Sequence, residues 1–218
     1  MKRAIIFTNG EMKDAETIRQ EINRRDLLIA ADGGLRYLRK FNLLPHVLIG
    51  DLDSVFKVDI DQCKKAGVTI LQYPTDKDQT DLELALDFAI KEGVGKVLIV
   101  AALGGRLDQT LGNLCLLRRS DLEGREVFLD DGIDRVFMVR KRAIIIGKMG
   151  DGVSLIPIWE DVFGITTRGL LYPLNNETLH LNQARGISNE LIAGHAEILV
   201  KKGCLLCIHS RHMGKEKK

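Results

Sequence analysis

From residue 3 to about residue 130 the chain alternates between short β-branched runs and longer stretches whose apolar positions recur at helical spacing. Residues 3–8, 27–31, 47–49, 68–72, 96–101 and 126–129 are the short β-branched runs and read as strands. Between them, residues 14–24, 35–41, 57–66, 80–92 and 109–118 read as amphipathic helices. Strand and helix in alternation build βαβ units and a mostly parallel sheet. After about residue 132 the rhythm changes. Residues 136–139, 143–146, 153–158, 164–167, 170–172, 178–181, 196–200 and 204–209 are short, β-rich and separated by Gly, Asn, Asp and Pro turns, with no helical pattern among them. That predicts a β-sandwich or a small barrel. Two domains follow: residues 1–132, α/β with a Rossmann-like sheet, and residues 133–218, an all-β sandwich carrying a short basic tail.

Composition adds exclusions. A chain of 218 residues, 45% hydrophobic and 28% charged, buries a sizeable core and is neither disordered nor fibrous. The apolar run after Met1-Lys2-Arg3 is too short for a secretory signal, and no stretch is long enough to span a bilayer, which points to the cytoplasm and to no membrane partner. The formal charge of +2 is concentrated in the tail, where Arg211, Lys215, Lys217 and Lys218 face only Glu216. Such an end reads as solvated rather than as a nucleic-acid surface. Cys204 and Cys207 form a C-x-x-C, but within a strand-like run residues three apart point to opposite faces, so the pair reads as buried structural cysteines rather than a metal site.

The chemistry lies where the N-terminal strands end. Ligands of open parallel sheets bind outside the carboxyl ends of the strands. Here those ends carry Thr8-Asn9-Gly10, Asp32-Gly33-Gly34, Gly50-Asp51-Leu52-Asp53-Ser54, Thr75-Asp76-Lys77-Asp78-Gln79-Thr80-Asp81 and Gly104-Gly105-Arg106-Leu107-Asp108. A rim so rich in aspartate repels itself unless something cationic occupies it. Mg2+ meets that need, because it prefers carboxylate oxygens and shares its other positions with water and substrate phosphates. Asp51 and Asp53, two apart on one loop, can turn toward a single ion, and Gly50 permits a tight backbone approach. Gly33-Gly34 and Gly104-Gly105 can present N–H groups to phosphate ahead of helix N-termini, and Arg106 adds a planar charged fork. Acid for metal, with amides and arginine for phosphate, is the equipment of phosphoryl or nucleotidyl transfer.

Structural roles compete with each piece. Thr80 and Glu83 have the spacing of a capping box, and Ser54 and Asp108 can serve as helix N-caps. Capping does not require Asp51 and Asp53 together, nor Asp76, Asp78 and Asp81 within one short loop. No G-x-x-x-x-G-K-[ST] and no G-x-G-x-x-G occurs, which sets aside an ordinary P-loop kinase and a dinucleotide enzyme.

Taken in order, Ala31-Asp32-Gly33-Gly34, Gly50-Asp51-Leu52-Asp53-Ser54, Lys77-Asp78-Gln79-Thr80-Asp81-Leu82-Glu83 and the run Gly104-Gly105-Arg106-Leu107-Asp108-Gln109-Thr110-Leu111-Gly112-Asn113 resemble the motif series of the thiamine pyrophosphokinase family. Gly186-Ile187-Ser188-Asn189-Glu190 resembles that family's C-terminal serine–asparagine motif. The resemblance implies an ATP-dependent diphosphotransferase: a homodimer whose α/β domain carries MgATP and whose sandwich helps bind thiamine at the subunit interface. It implies that Asp51, Asp53 and Asp81 hold Mg2+ or meet the ATP phosphates. Asp78, Thr80, Arg106, Asp108 and the glycines Gly33, Gly104 and Gly105 would complete that site, with Asp32 on its edge. Ser188 and Asn189 would approach thiamine. One departure stands out: Tyr172 occupies a position where some members carry tryptophan.

The expected reaction is in-line attack of the thiamine hydroxyl on the β-phosphorus of ATP, with AMP leaving and either Asp81 or Asp108 accepting the proton. The rival readings are a pyrophosphokinase for another small alcohol such as hydroxymethylpterin, a nucleotide sensor without turnover, and a metal-dependent phosphoesterase.

Overall fold

The computed structural model describes residues 2–211, so Lys215, Lys217 and Lys218 of the basic tail lie outside the described residues. Two compact units divide the chain, Met1–Gly132 and Ile133–Lys218.

The first unit alternates β1 (Arg3–Phe7), α1 (Ala15–Glu21), β2 (Leu27–Ala31), α2 (Leu35–Lys40), β3 (Val47–Gly50), α3 (Lys57–Lys65), β4 (Thr69–Gln72), α4 (Asp81–Lys91), β5 (Lys96–Val100), α5 (Leu107–Leu116) and β6 (Glu126–Asp130). All neighbouring strands in it run parallel, in the order β6-β5-β1-β2-β3-β4. Helices on the faces of a parallel sheet bury its strands from both sides, and Ala4, Ile5, Ile6 and Phe7 of the central strand are accordingly 0% exposed. Ile18, Leu35, Leu38 and Phe41 from the helical segments pack into the same core, with Phe41 edge-on to Phe7.

Helix starts follow local chemistry. Asp14 caps α1, accepting from the N–H groups of Glu16 and Thr17. Thr80 and Glu83 form a complete capping box at α4. The other two cap candidates do not serve: Phe56 stands at the N-cap of α3 and Arg106 at that of α5, neither with a side-chain cap bond. Ser54 instead bonds Asp53, and Asp108 lies inside the first turn of α5.

The second unit is all β: β7 (Asp134–Val139), β8 (Arg142–Ile146), β9 (Gly152–Ile156), β10 (Val162–Arg168), β11 (Glu177–Leu179), β12 (Asn189–Glu190), β13 (His195–Leu199) and β14 (Leu205–Ser210). Antiparallel pairing joins β12-β9-β14-β7 in one layer and β11-β10-β13-β8 in the other. Burial alternates along β9 and β13, as in the inner faces of a sandwich. Residues 170–172, expected as a strand, contribute only an isolated bridge from Leu170 to Leu191. Pro173 follows at once and has no N–H to extend a ladder. Cys204 and Cys207 are both buried, and neither is in a disulfide.

Candidate active site

The strand order of the first unit reverses between β1 and β5, leading through β2 and β3 to β4 on one side and to β6 on the other. Loops leaving such a pair diverge and leave a crevice. A cleft of about 1000 Å³ opens there, large enough for a nucleotide. Thr8, Asn9 and Gly10 after β1 and Asp32 after β2 line it, together with Ser54 after β3. Lys77, Thr80 and Asp81 line it at the start of α4, and Gly104, Gly105, Arg106 and Asp108 after β5.

The backbone is strained where these loops begin. Among the described residues, six other than glycine have positive φ. Two are asparagines and Asp32 (+45°) is an aspartate, residue types that tolerate that region; the other three are Leu52 (+67°), Ala101 (+57°) and Ser188 (+59°). Asp32, Leu52 and Ser188 lie in segments quoted in the motif series, and Ala101 follows the end of β5. Strain that survives in a folded protein gathers at sites where side chains must be aimed. Leu52 shows how: its side chain is buried in the core while Asp51 and Asp53 flank it on the exposed side of the loop.

The aim is toward one point. Asp32, Asp51 and Asp53 each offer a carboxylate oxygen, and the three lie within 4.8 Å of one another. Asp32 is 7% exposed and its Oδ1 has no hydrogen-bond partner. A buried acceptor without a donor is costly, and two neighbouring carboxylates add repulsion. All-oxygen, anionic and partly dry, the set fits a hard divalent cation such as Mg2+. Asp32→Asn is therefore expected to stabilise the metal-free protein by about 1 kcal/mol, read as a higher midpoint in thermal unfolding; a lower midpoint would show that the cluster is not frustrated.

Asp81 stands beside this trio. A Cβ on Gly50 would lie 3.0 Å from Asp32 Cβ and 3.2 Å from Asp81 Oδ1, so both side chains close on a residue that has none. Burial pushes the Asp81 carboxyl above the usual carboxylate range, Asp51 and Asp32 push it the same way, and Lys77 pulls back. Lys77 Nζ is 3.1 Å from Asp81 Oδ1 and 3.7 Å from Asp51 Oδ2. Desolvation works to lower the Lys77 ammonium, but its bonds to and attraction by Asp81 and Asp51 hold it above its ordinary value.

Other motif residues take different places. Gly104 and Gly105, with φ of +75° and +67°, form a curve of backbone that only glycine adopts readily; no atom crowds Gly105, whereas the Glu11 carboxylate lies against Gly104. Arg106 Nη2 lies 2.6 Å from Asp108 Oδ2, and its Nε is 3.2 Å from Oδ1. That fork holds the Asp108 carboxyl below the usual range. Gly33 is buried against the Asn9 side chain rather than lining the cleft. Asp78 is exposed and lies outside the cleft lining. Sequence reasoning gave no role to Glu11, Arg36, Lys77 or Asn113, all of which line the cleft. Lys77 and Asn113 carried a signal, as the first and last residues of two quoted motifs.

In the second unit, Ser188 donates its N–H to Ser154 Oγ at 3.2 Å. The Asn189 amide is committed: Oδ1 accepts from Tyr172 N at 3.0 Å and Nδ2 donates to Tyr172 O at 2.7 Å. Tyr172 itself is 67% exposed.

Comparison with known proteins shows the family of the chain. Residues 18–129 match the family model described as thiamin pyrophosphokinase, catalytic domain, and residues 139–205 match thiamin pyrophosphokinase, vitamin B1 binding domain. This chain belongs to the thiamin pyrophosphokinase family. It is 32% identical to the thiamine pyrophosphokinase of Bacillus subtilis (strain 168), over 96% of this chain and 99% of that protein. The crystal structure of thiamine pyrophosphokinase from Bacillus subtilis superposes with a TM-score of 0.87 at 30% identity, covering 97% of this chain and 100% of that one. The yeast thiamin pyrophosphokinase structure shares the fold, with a TM-score of 0.81 at 18% identity over 96% of this chain and 86% of its own. The two family models fall on either side of Gly132, where the helical segments give way to strands.

Proposed function

We propose that the chain transfers a pyrophosphoryl group from ATP to the hydroxyl of thiamine, giving thiamine pyrophosphate and AMP, with Mg2+ held at the strand ends of the first unit. The partnerless buried oxygen of Asp32, gathered with Asp51 and Asp53 beside a cleft that also presents Gly104, Gly105 and Arg106, carries this reading. When bound there, the cation supplies charge neutralisation and alignment of phosphate oxygens.

The chain's own groups do the rest. Asp51 and Asp53 reach in from one loop and Asp32 from the turn after β2, with Asp81 beside them. The open backbone at Gly105 offers its N–H to phosphate, with Gly104 shaping the turn, and Arg106 offsets phosphate charge. Thr80 fixes the start of α4, which sets where Asp81 points. For the hydroxyl proton, Asp81 is favoured over Asp108. Burial raises the proton affinity of Asp81, whereas both oxygens of Asp108 are engaged by Arg106. Asp78, exposed and apart, is given no direct part.

Thiamine is assigned to the Ser188–Asn189 segment of the second unit, with the Tyr172 ring offering it an aromatic face. Asn189 acts there by holding Tyr172 through both atoms of its amide. Asn189→Ala is expected to raise the KM for thiamine about tenfold, with kcat within about twofold of the parent. An unchanged KM would remove Asn189 from thiamine binding. The reading also includes a homodimer, supported by the family resemblance and checked by light scattering of the purified protein, and a place in the cytoplasm, supported by the lack of a signal-like or spanning apolar run in the sequence. Among the described residues no helix is long and apolar enough to cross a membrane.

The deciding test mixes protein, Mg2+, ATP and thiamine and separates the products. Thiamine pyrophosphate and AMP in equal amounts, formed only in the complete mixture, is the expected result. AMP without thiamine pyrophosphate, or phosphate release without an acceptor, would overturn it.

A further inference from the structure

Lys77 is a charged side chain in the cleft that the reaction, as proposed, leaves without a task. It lies in the turn ahead of α4 with its side chain 15% exposed. Its Nζ reaches Asp81 Oδ1 at 3.1 Å, the Pro74 carbonyl at 3.3 Å and Asp51 Oδ2 at 3.7 Å. Asp51 thus belongs to two constellations at once: the carboxylate trio with Asp32 and Asp53, and the ammonium bridge to Asp81. An ammonium between two carboxylates answers the same electrostatic need that a divalent ion held by Asp32, Asp51 and Asp53 would answer.

We propose that Lys77 is a resident counter-cation, which neutralises the acidic cluster in the free protein, yields when a divalent cation arrives, and then turns to the phosphates of the nucleotide. The inference rests on the proposed Mg2+ and ATP site and adds an order to its filling. A divalent ion on Asp51 repels an ammonium 3.7 Å from that same carboxylate. Lysine is suited to leave: its charge is a compact point on a flexible four-carbon stem, so the ammonium moves without displacing backbone. The Pro74 carbonyl is a poor substitute for two carboxylates. Phosphate oxygens are a good one, because they form charge-assisted bonds. A cation arriving alone therefore has to evict Lys77 into weaker contacts, whereas a cation arriving with nucleotide brings Lys77 its new partner. Cation and nucleotide then each tighten the binding of the other, as linkage requires.

The test uses full-length protein, with Mn2+ alone as the first probe and free Mn2+ followed by electron paramagnetic resonance. Lys77→Gln removes the competing charge and is expected to bind Mn2+ about tenfold more tightly than the parent. Lys77→Arg keeps the charge and is expected to stay within about threefold. In the second arm, α,β-methylene-ATP, whose carbon bridge blocks transfer, is titrated at saturating Mn2+. Lys77→Gln is expected to bind it about tenfold more weakly, so that gain for the metal and loss for the nucleotide appear in the same variant. Thermal unfolding of each variant establishes that it is folded. Mn2+ affinity unchanged or weakened in Lys77→Gln, while Asp51→Asn abolishes Mn2+ binding, overturns the counter-cation and leaves the metal site standing. No Mn2+ binding by the parent, with or without nucleotide, removes the metal site and this inference with it.

Discussion

Replacing Asp51 by Asn is expected to lower turnover by about a thousandfold while leaving the fold intact. Partners that merely orient metal ligands already contribute about 10- to 100-fold, and Asp51 is proposed as a ligand itself, shared with the Lys77 bridge. Asparagine keeps the shape and still offers an oxygen to the Asp53 N–H, which lies 3.2 Å from Asp51 Oδ1, so the loop keeps its form. What disappears is the charge. The loss should also show without catalysis. A cation at a hundred times its dissociation constant stabilises the protein that binds it by about 2.7 kcal/mol. In a chain of this size that raises the unfolding midpoint by about 5–10 °C. The parent should show this shift with Mg2+ and Asp51→Asn should not. Near-normal turnover in the variant, or a shift equal to the parent's, would take Asp51 out of the metal site.

Much of this was legible in the residues because parallel strands announce themselves. β1, β2, β3 and β5 are buried almost throughout and read as apolar runs, the edge strand β4 and β6 less so, and the observed bounds of all six differ from the expected ones by at most one residue. The aspartates then fall at strand ends by simple counting. The second unit was harder to read. The bridge at Leu170 is ended by Pro173, and β12 is two polar residues, Asn189 and Glu190, whose pairing with β9 comes from a partner more than thirty positions away. No local pattern encodes such a pair. Asp32 joining Asp51 and Asp53, and Lys77 lying between Asp51 and Asp81, are likewise products of the βαβ crossovers that bring three loops to one rim. The motif series quoted every one of these residues without showing which of them touch.

The glycines of Ala31-Asp32-Gly33-Gly34 show how a motif can be right in identity and misleading in reason. Read from sequence, Gly33 and Gly34 present N–H groups to phosphate. The structure supplies another cause for Gly34, which leads into α2 with φ −58° and ψ −20°, angles that any residue adopts. Space is what it lacks. A Cβ there would lie 1.9 Å from the Phe7 carbonyl oxygen, 2.4 Å from the Phe7 carbonyl carbon and 2.9 Å from Thr8 N. All three atoms are main chain at the end of β1, held in the sheet by β2 on one side and β5 on the other, so no side chain can swing aside to relieve the clash. Either the end of β1 or the turn carrying Asp32 must move. Gly34→Ala is therefore expected to destabilise the protein by about 3 kcal/mol, the upper end for overpacking a well-packed interior, lowering the unfolding midpoint by about 6–12 °C. Turnover should fall as well, because Asp32 sits two residues before the clash and Asn9 two residues beyond the Phe7 carbonyl. Gly112 provides the contrast. It lies within α5 with nothing within 4 Å of an added Cβ, and there alanine should stabilise by up to about 1 kcal/mol through helix propensity alone. If Gly34→Ala unfolded like Gly112→Ala, the close approach of the two strand ends would not be what keeps residue 34 a glycine, and the phosphate reading would regain its claim on that position.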